Sequence, residues 1–559
     1  MSKSCFWITP LAFISLLCPA GSNAQNATAA RDWLTWGYDQ ERTGWNRGET
    51  TLSKDNVARL ELKWKTQLAT PPREVALSTL TAPLVVEGVN TSQGRKTLVF
   101  VVGSDDTVFA IDADTGAVLW QKTFANKLAA PQTATWLCSN TQNATPVIDK
   151  AKGILYLNAS DGKLRGLSLI NGEDRITPTD FIVPFARNWS LNLIDDVIYS
   201  PSARGCGGVM AHFSAIDVSD PIRPRLSRFY TSGGRPAGAW GRGGMVRGPK
   251  GIYAQTADGL SDPASGIFGE TVLALAPKQL RVIDSFTPSN WRYLNEKDLD
   301  LGSASPLVFR FQNRTLVASA AKEGVIYLLD ADALGGGAPE HSKPLYQSAR
   351  LGNDEEMLGG RGVWGAMATY EDAQAGRFLY VPMWGPPSKN APQFPRRYGD
   401  TPNGSVMAFR VSAEAQQLSL IPVWISRDMH VPDPPVVANG VVYAIQTGEN
   451  TVQNPGRPGG DVTDGGGGQG SRGGGPQVPS GERVEQSSAT AAALKAAKFR
   501  ATPVSNLVLY AFDAQTGKQL YSSEKIISSW VHYSEPVVAM GKVFVVSWDA
   551  HVYAFGLKP

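Results

Sequence analysis

Cysteine, histidine and net charge are all scarce in this 559-residue sequence, and each scarcity removes a class of chemistry. Of the 4 cysteines, Cys5 and Cys18 fall in the first two dozen residues, which leaves Cys138 and Cys206. Neither opens a Cys-x-x-Cys-His, so covalent c-type haem attachment is excluded. The 5 histidines, His212, His341, His430, His532 and His551, are scattered without the spacing of a zinc site. A formal charge of +3 offers no basic field for nucleic acid or an anionic membrane. No apolar run beyond the N-terminus approaches the roughly 20 residues of a spanning helix. The Gly-x-x-x-x-Gly-Lys-Ser/Thr phosphate loop and the Gly-x-Ser-x-Gly nucleophile elbow are also absent.

What is abundant is a repeated strand pattern. Leu98 to Trp120, LVFVVGSDDTVFAIDADTGAVLW, reads as three antiparallel strands rich in Val, Phe, Ile and Trp. Ser104-Asp105-Asp106 and Ala113-Asp114-Thr115-Gly116 separate them with turn chemistry. A meander this short cannot bury its own apolar faces and needs stacked copies of itself.

The copies run to the end of the chain. Aligning them gives anchors at Ile111, Leu169, Ile216, Leu275, Leu329, Phe409, Phe512 and Phe555, which predicts an all-β, eight-bladed β-propeller of four-stranded antiparallel blades. The last copy ends at Pro559 without an outer strand, while Leu60 to Leu68 is strand-like and has no partner nearby. The N-terminal strand is therefore expected to complete the last blade and close the ring, which removes two open edges.

Outside the repeat, residues 1–24 have the pattern of a secretory signal: Lys3, the apolar Phe6 to Leu17, and the small-residue site Ser22-Asn23-Ala24. The expectation is a periplasmic or secreted chain from 25 to 559, forming one propeller domain. In an oxidising compartment Cys138 and Cys206 either form a disulfide or stay as two separate buried thiols. Between about 454 and 500 the glycine-rich GRPGGDVTDGGGGQGSRGGG has too little apolar content to order itself, and it reads as an insertion in the seventh blade followed by a short alanine-rich helix.

The segments Ala110 to Trp120 and Ala511 to Lys518 resemble the tryptophan-docking repeats of the quinoprotein alcohol dehydrogenases, eight-bladed propellers that bind pyrroloquinoline quinone (PQQ). The resemblance covers the mature chain and implies an oxidoreductase acting on a small alcohol or aldehyde, with a periplasmic electron acceptor. In Asn295-Glu-Lys-Asp298-Leu-Asp300, Asp298 stands where the family has its general base. Asp300 stands where lanthanide-using members carry an extra metal carboxylate. Two carboxylates at i and i+2 are expected on one side of an extended strand. The resemblance further implies that Lys322 is the cation beside the quinone oxygens, and that Trp240 in Ala-Trp-Gly-Arg-Gly-Gly is the platform beneath the quinone plane.

Two departures accompany these matches. The family's metal-binding glutamate falls near Cys206, a poor donor for calcium, and its asparagine falls at Asp258. The adjacent cysteine pair that covers the quinone is replaced by Cys138 alone. The implied set is then Asp258, Asp298 and Asp300 for calcium or a lanthanide ion, with Trp240, Lys322, Cys138 and Cys206 at the cofactor. Because non-catalytic propellers share the repeat, a binding or assembly scaffold stands as the second expectation.

Overall fold

Eight antiparallel blades form a ring in the computed structural model, which describes residues 1, 31–72, 78–128, 144–203, 209–232, 237–337, 340–354, 361–415, 417–451, 498–499 and 501–558. Residues 2–24 of the expected secretory signal, Cys138, Cys206 and the glycine-rich stretch with its alanine-rich follower, apart from Lys498, lie outside the described residues. In the first blade the strands run in order from the ring centre outward: Leu84–Thr91, Gly94–Val102, Thr107–Asp112 and Val118–Thr123. Alternate Val, Phe and Ile side chains from the middle strands of neighbouring blades meet between the sheets, and Val99, Val101, Phe109 and Ile111 are fully buried there. All eight anchors are buried. Each lies on the third strand of its blade except Leu169, one residue beyond Lys163–Ser168.

The ring closes as the sequence predicts. Leu60–Gln67 is the outer strand of the last blade and pairs antiparallel with His551–Leu557, with Leu62 opposite Phe555. In three blades, this one included, a tryptophan on the outer strand then locks the blade to the next. Trp64 Nε1 donates to Ala113 O at 3.0 Å, and its ring covers Gly116, where an added Cβ would come within 2.7 Å of it. Trp120 repeats this on Leu169 O and Gly172, and Trp424 on Ala514 O and Gly517. The turn glycines have φ near +75, +71 and +75, so both their backbone and the ring above them require glycine.

One element has no counterpart in the sequence reading. The strap from Asp32 to Asn46 threads the ring centre and bonds the inner strand of every blade in turn. Trp33 exchanges two backbone bonds with Val85, and Leu34 O accepts Ile148 N–H. Gln40 O accepts from Asn192 Nδ2 and Arg247 N. Glu41, Thr43 and Gly44 carbonyls accept from Val308, Thr369 and Val437, and Asn46 Nδ2 donates to Val538 O. Inner strands have an unpaired edge facing the axis, and the strap satisfies part of it.

A candidate active site at the mouth of the ring

Strand alternation places two kinds of loop on one face of the ring: those joining second and third strands, and those leading from an outer strand to the next blade. The five predicted residues that are described all come from such loops, while Cys138 and Cys206 lie outside the described residues. Trp240 precedes the fourth blade. Asp258 lies between Ile252–Gln255 and Val272–Leu275 of that blade. Asp298 and Asp300 connect the fourth blade to the fifth, and Lys322 lies between Arg314–Ala320 and Ile326–Asp330 of the fifth.

Asp298 and Asp300 do not lie on an extended strand, contrary to the expectation. The segment winds into a two-turn helix, Trp291–Lys297, and Asp298 ends it in the left-handed conformation at φ 55°, its N–H bonded to Leu294 O. Aspartate tolerates that region better than most residues. Asp300 opens the following turn, Leu301–Ser303. The two carboxylates nonetheless converge, because both reach the same ammonium: Lys322 Nζ lies 2.6 Å from Asp300 Oδ2 and 3.1 Å from Asp298 Oδ1.

Lys322 is fully buried, not a surface lysine. Its Nζ also sits 4.4 Å from the centroid of the Trp240 ring and 5.0 Å from that of Trp364. Its backbone is clamped, since Asn353 Nδ2 donates to Lys322 O at 2.6 Å and Gly362 packs so close that a Cβ would meet that oxygen at 2.1 Å. Burial alone would lower the lysine's pKa, but Asp298 and Asp300 outweigh it and hold the ammonium above its ordinary value.

Burial pushes the Asp298 carboxyl well above the usual range, Lys322 pulls it back, and Asp300 and Asp258 add to the rise. The Asp298 side chain keeps 41% exposure, however, so water reaches it from the mouth and moderates that rise. Asp258, half-buried, joins the group through its charge.

Sequence reasoning missed Glu270. It is fully buried, and its Oε2 accepts Leu301 N–H at 2.6 Å. Burial and then Asp300 push its carboxyl well above the usual range. Glu270 Oε1 and Asp300 Oδ1 receive no hydrogen bond. The aromatic wall of the mouth was missed as well. Trp364 stacks on Trp384 at 4.8 Å and 7°, Tyr533 stacks on Trp384 at 5.9 Å, and Trp240 meets Trp364 edge-on at 6.1 Å. Beyond Tyr533, His532 Nδ1 lies 2.6 Å from Glu449 Oε2, with both residues buried. The only sequence signal for these is that Trp-Val-His-Tyr-Ser-Glu (530 to 535) sets polar groups just before an inner strand.

The residues fit a planar quinone better than a metal. Trp240 remains half-buried beside an ammonium, the pairing that a flat acceptor with partly negative oxygens requires. For a cation, Asp258, Asp298 and Asp300 are the implied donors, but Lys322 already stands between the last two. Among the described residues no three His, Cys, Asp or Glu side chains gather into a metal cage.

Comparisons with known proteins agree with the fold. The PQQ_2 family model, described as outer membrane protein assembly factor BamB, matches residues 61–179. No curated protein matches by sequence. Among solved structures, the quinohemoprotein alcohol dehydrogenase from Comamonas testosteroni superposes with a TM-score of 0.60 at 15% identity, covering 95% of this chain and 82% of that one. A europium-containing methanol dehydrogenase gives 0.60 at 13% identity, covering 94% and 98%. A quinohemoprotein alcohol dehydrogenase from Pseudomonas putida HK5 gives 0.55 at 13%, covering 94% and 80%. The chain is thus an eight-bladed propeller that resembles the PQQ-dependent dehydrogenases in fold and repeat. No described helix is long and apolar enough to cross a membrane.

Proposed function

We propose that the mouth binds pyrroloquinoline quinone against Trp240 and that the chain oxidises a small alcohol or aldehyde with Asp298 as general base. The observation that carries this reading is the placement of Lys322, whose ammonium is held by Asp300 and Asp298 and lies over the half-buried Trp240 ring. When bound, the quinone supplies a two-electron acceptor for hydride. Asp298, the carboxylate open to the mouth, takes the substrate hydroxyl proton. Lys322 counters negative charge developing at the acceptor oxygens, in a site where burial strengthens that attraction. Asp300 keeps the lysine protonated and fixed in place, so its charge needs no reorganisation during the reaction. No step passes through a metal. With the secretory pattern of residues 1–24, the reading extends to an exported enzyme that hands electrons to a periplasmic acceptor.

The second reading, a non-catalytic binding scaffold, draws on the same lysine. Its charge is already matched by carboxylates, and Trp364, Trp384 and Tyr533 form a wall that is at most 8% exposed. Titrating the purified protein with the quinone while following its absorbance, then supplying short alcohols or aldehydes and a one-electron dye, separates the two. Saturable binding with substrate-dependent dye reduction supports the dehydrogenase. Binding without reduction favours the scaffold, and no binding refutes the quinone site.

A further inference from the structure

We propose that Glu270 is a positioning residue of this mouth: through Leu301 it holds the Asp300 carboxylate against Lys322, and through the same turn it fixes the Trp240 ring beside the ammonium. The placement is tested on the free protein, while its effect on turnover rests on the quinone dehydrogenase reading above.

Glu270 stands at the mouth end of the fourth blade, just before Val272–Leu275. Its backbone is left-handed at φ 49°, a region that glutamate seldom adopts. Such a conformation persists only where its surroundings fix it, and two hydrogen bonds do so here. Glu270 N–H donates to Ala257 O at 3.0 Å, on the loop that carries Asp258, and Glu270 Oε2 accepts Leu301 N–H at 2.6 Å. One residue thus ties that loop to the turn that follows Asp300.

Leu301 is held on its other side as well. Gln255, the last residue of Ile252–Gln255, donates from Nε2 to Leu301 O at 2.6 Å, and its Oε1 accepts from Ser319 Oγ of the fifth blade at 2.8 Å. One position on, Gly302 O accepts Trp240 N–H at 3.0 Å, and Gly302 packs so close that a Cβ would come within 2.6 Å of Ala257 N. The turn Leu301–Ser303 therefore has Asp300 at its start and Trp240 bonded to its middle. Those are the two residues that meet Lys322 Nζ, at 2.6 Å from the carboxylate and 4.4 Å from the ring centroid.

Packing alone does not call for a carboxylate at this position. Glu270 is fully buried and its Oε1 receives no hydrogen bond, so a leucine of similar size would avoid a desolvation cost that Glu270 incurs. What a leucine cannot do is accept from Leu301 N–H, the first amide after Asp300, which is itself buried. Left without an acceptor, that amide has to turn toward another partner, and the Asp300 carboxylate moves with it. The lysine charge would then lose the fixed position from which it counters negative charge at the acceptor oxygens.

The test compares Glu270→Gln with Glu270→Leu in the full chain, because glutamine keeps an oxygen for Leu301 N–H and leucine fills the space without one. In the free protein, backbone hydrogen exchange over residues 298–304 should run about tenfold or more faster in Glu270→Leu than in wild type, while Ile252–Gln255 and Arg314–Ala320 keep their protection. Glu270→Gln should exchange as wild type does. With saturating quinone, Glu270→Leu should lose about a hundredfold in kcat for short alcohols, the scale of loss when a catalytic group is slightly misplaced. Its KM for the alcohol should stay within about threefold of wild type, and Glu270→Gln should keep the wild-type rate. Exchange in Glu270→Gln as fast as in Glu270→Leu overturns the inference, because the acceptor oxygen then holds nothing. Exchange that rises across the blade strands too overturns it by assigning Glu270 to the fold, and so does a raised KM with kcat unchanged. A wild type that binds no quinone overturns the function proposed above, and the exchange measurement still decides the placement.

Discussion

Lys322 Nζ and Asp300 Oδ2 are 2.6 Å apart, and their side chains are 1% and 0% exposed. A buried pair of this kind is hard to dismantle from one side. Lys322→Ala leaves Asp300 uncompensated and is expected to destabilise the chain by about 3–5 kcal/mol. Lys322→Met combined with Asp300→Asn should recover most of that loss, because the buried charge is gone and Asp298, the lysine's other partner, keeps 41% exposure to water. Urea unfolding of the two variants measures the difference. A double variant no more stable than Lys322→Ala would mean that the pair is not the source of the cost.

Metal dependence follows from the same placement. With the ammonium between Asp298 and Asp300, quinone binding is expected to persist in excess chelator and to change less than about threefold on adding calcium or lanthanum. A quinone affinity that collapses in chelator and returns with either ion would restore the expectation that Asp258, Asp298 and Asp300 hold a metal.

Beneath the mouth, Glu535 accepts from Trp33 Nε1 and Gly37 N of the strap, at 3.2 and 2.8 Å. Burial raises its carboxyl from an ordinary 4.5 to about 8, against the pull of those two donors and Arg42. The folded chain thus holds a proton that the unfolded chain releases. Its contribution to stability is complete below about pH 4.5 and is lost as pH rises toward 8. Glu535→Gln keeps an acceptor oxygen and loses the titration, so its melting temperature should gain on wild type steadily across that window. Parallel curves would rule the linkage out.

The ring could be read from the sequence because its signal is local: period-two strands and turn residues repeated to the end, with a tryptophan one strand later in some copies, as at Trp120. Closure by Leu60–Gln67 could be read by counting unpaired edges. The strap could not, since Asp32 to Asn46 bonds to eight strands spread over the whole chain, seven of them through its backbone, and shows no alternation. At the site, Asp298, Asp300, Lys322 and Trp240 were reachable through resemblance, and the structure brings all four together. Glu270, the aromatic wall and the Glu449–His532 dyad are built from residues far apart in sequence, 83 positions in the last case, and no periodicity joins them.

The last prediction concerns Asp298. Asp298→Asn is expected to bind the quinone within about threefold of wild type and to lower turnover of short alcohols by two to four orders of magnitude, the usual range for removing a general base. The amide keeps the shape and can face Lys322 with its oxygen, but it cannot accept the hydroxyl proton. Wild-type turnover should rise with pH as Asp298 ionises. Burial shifts that limb upward from the ordinary carboxylate range, and Lys322 and the 41% exposure limit the shift. The asparagine variant should lose this limb along with its rate. If it instead keeps the limb at a reduced rate, another group accepts the proton.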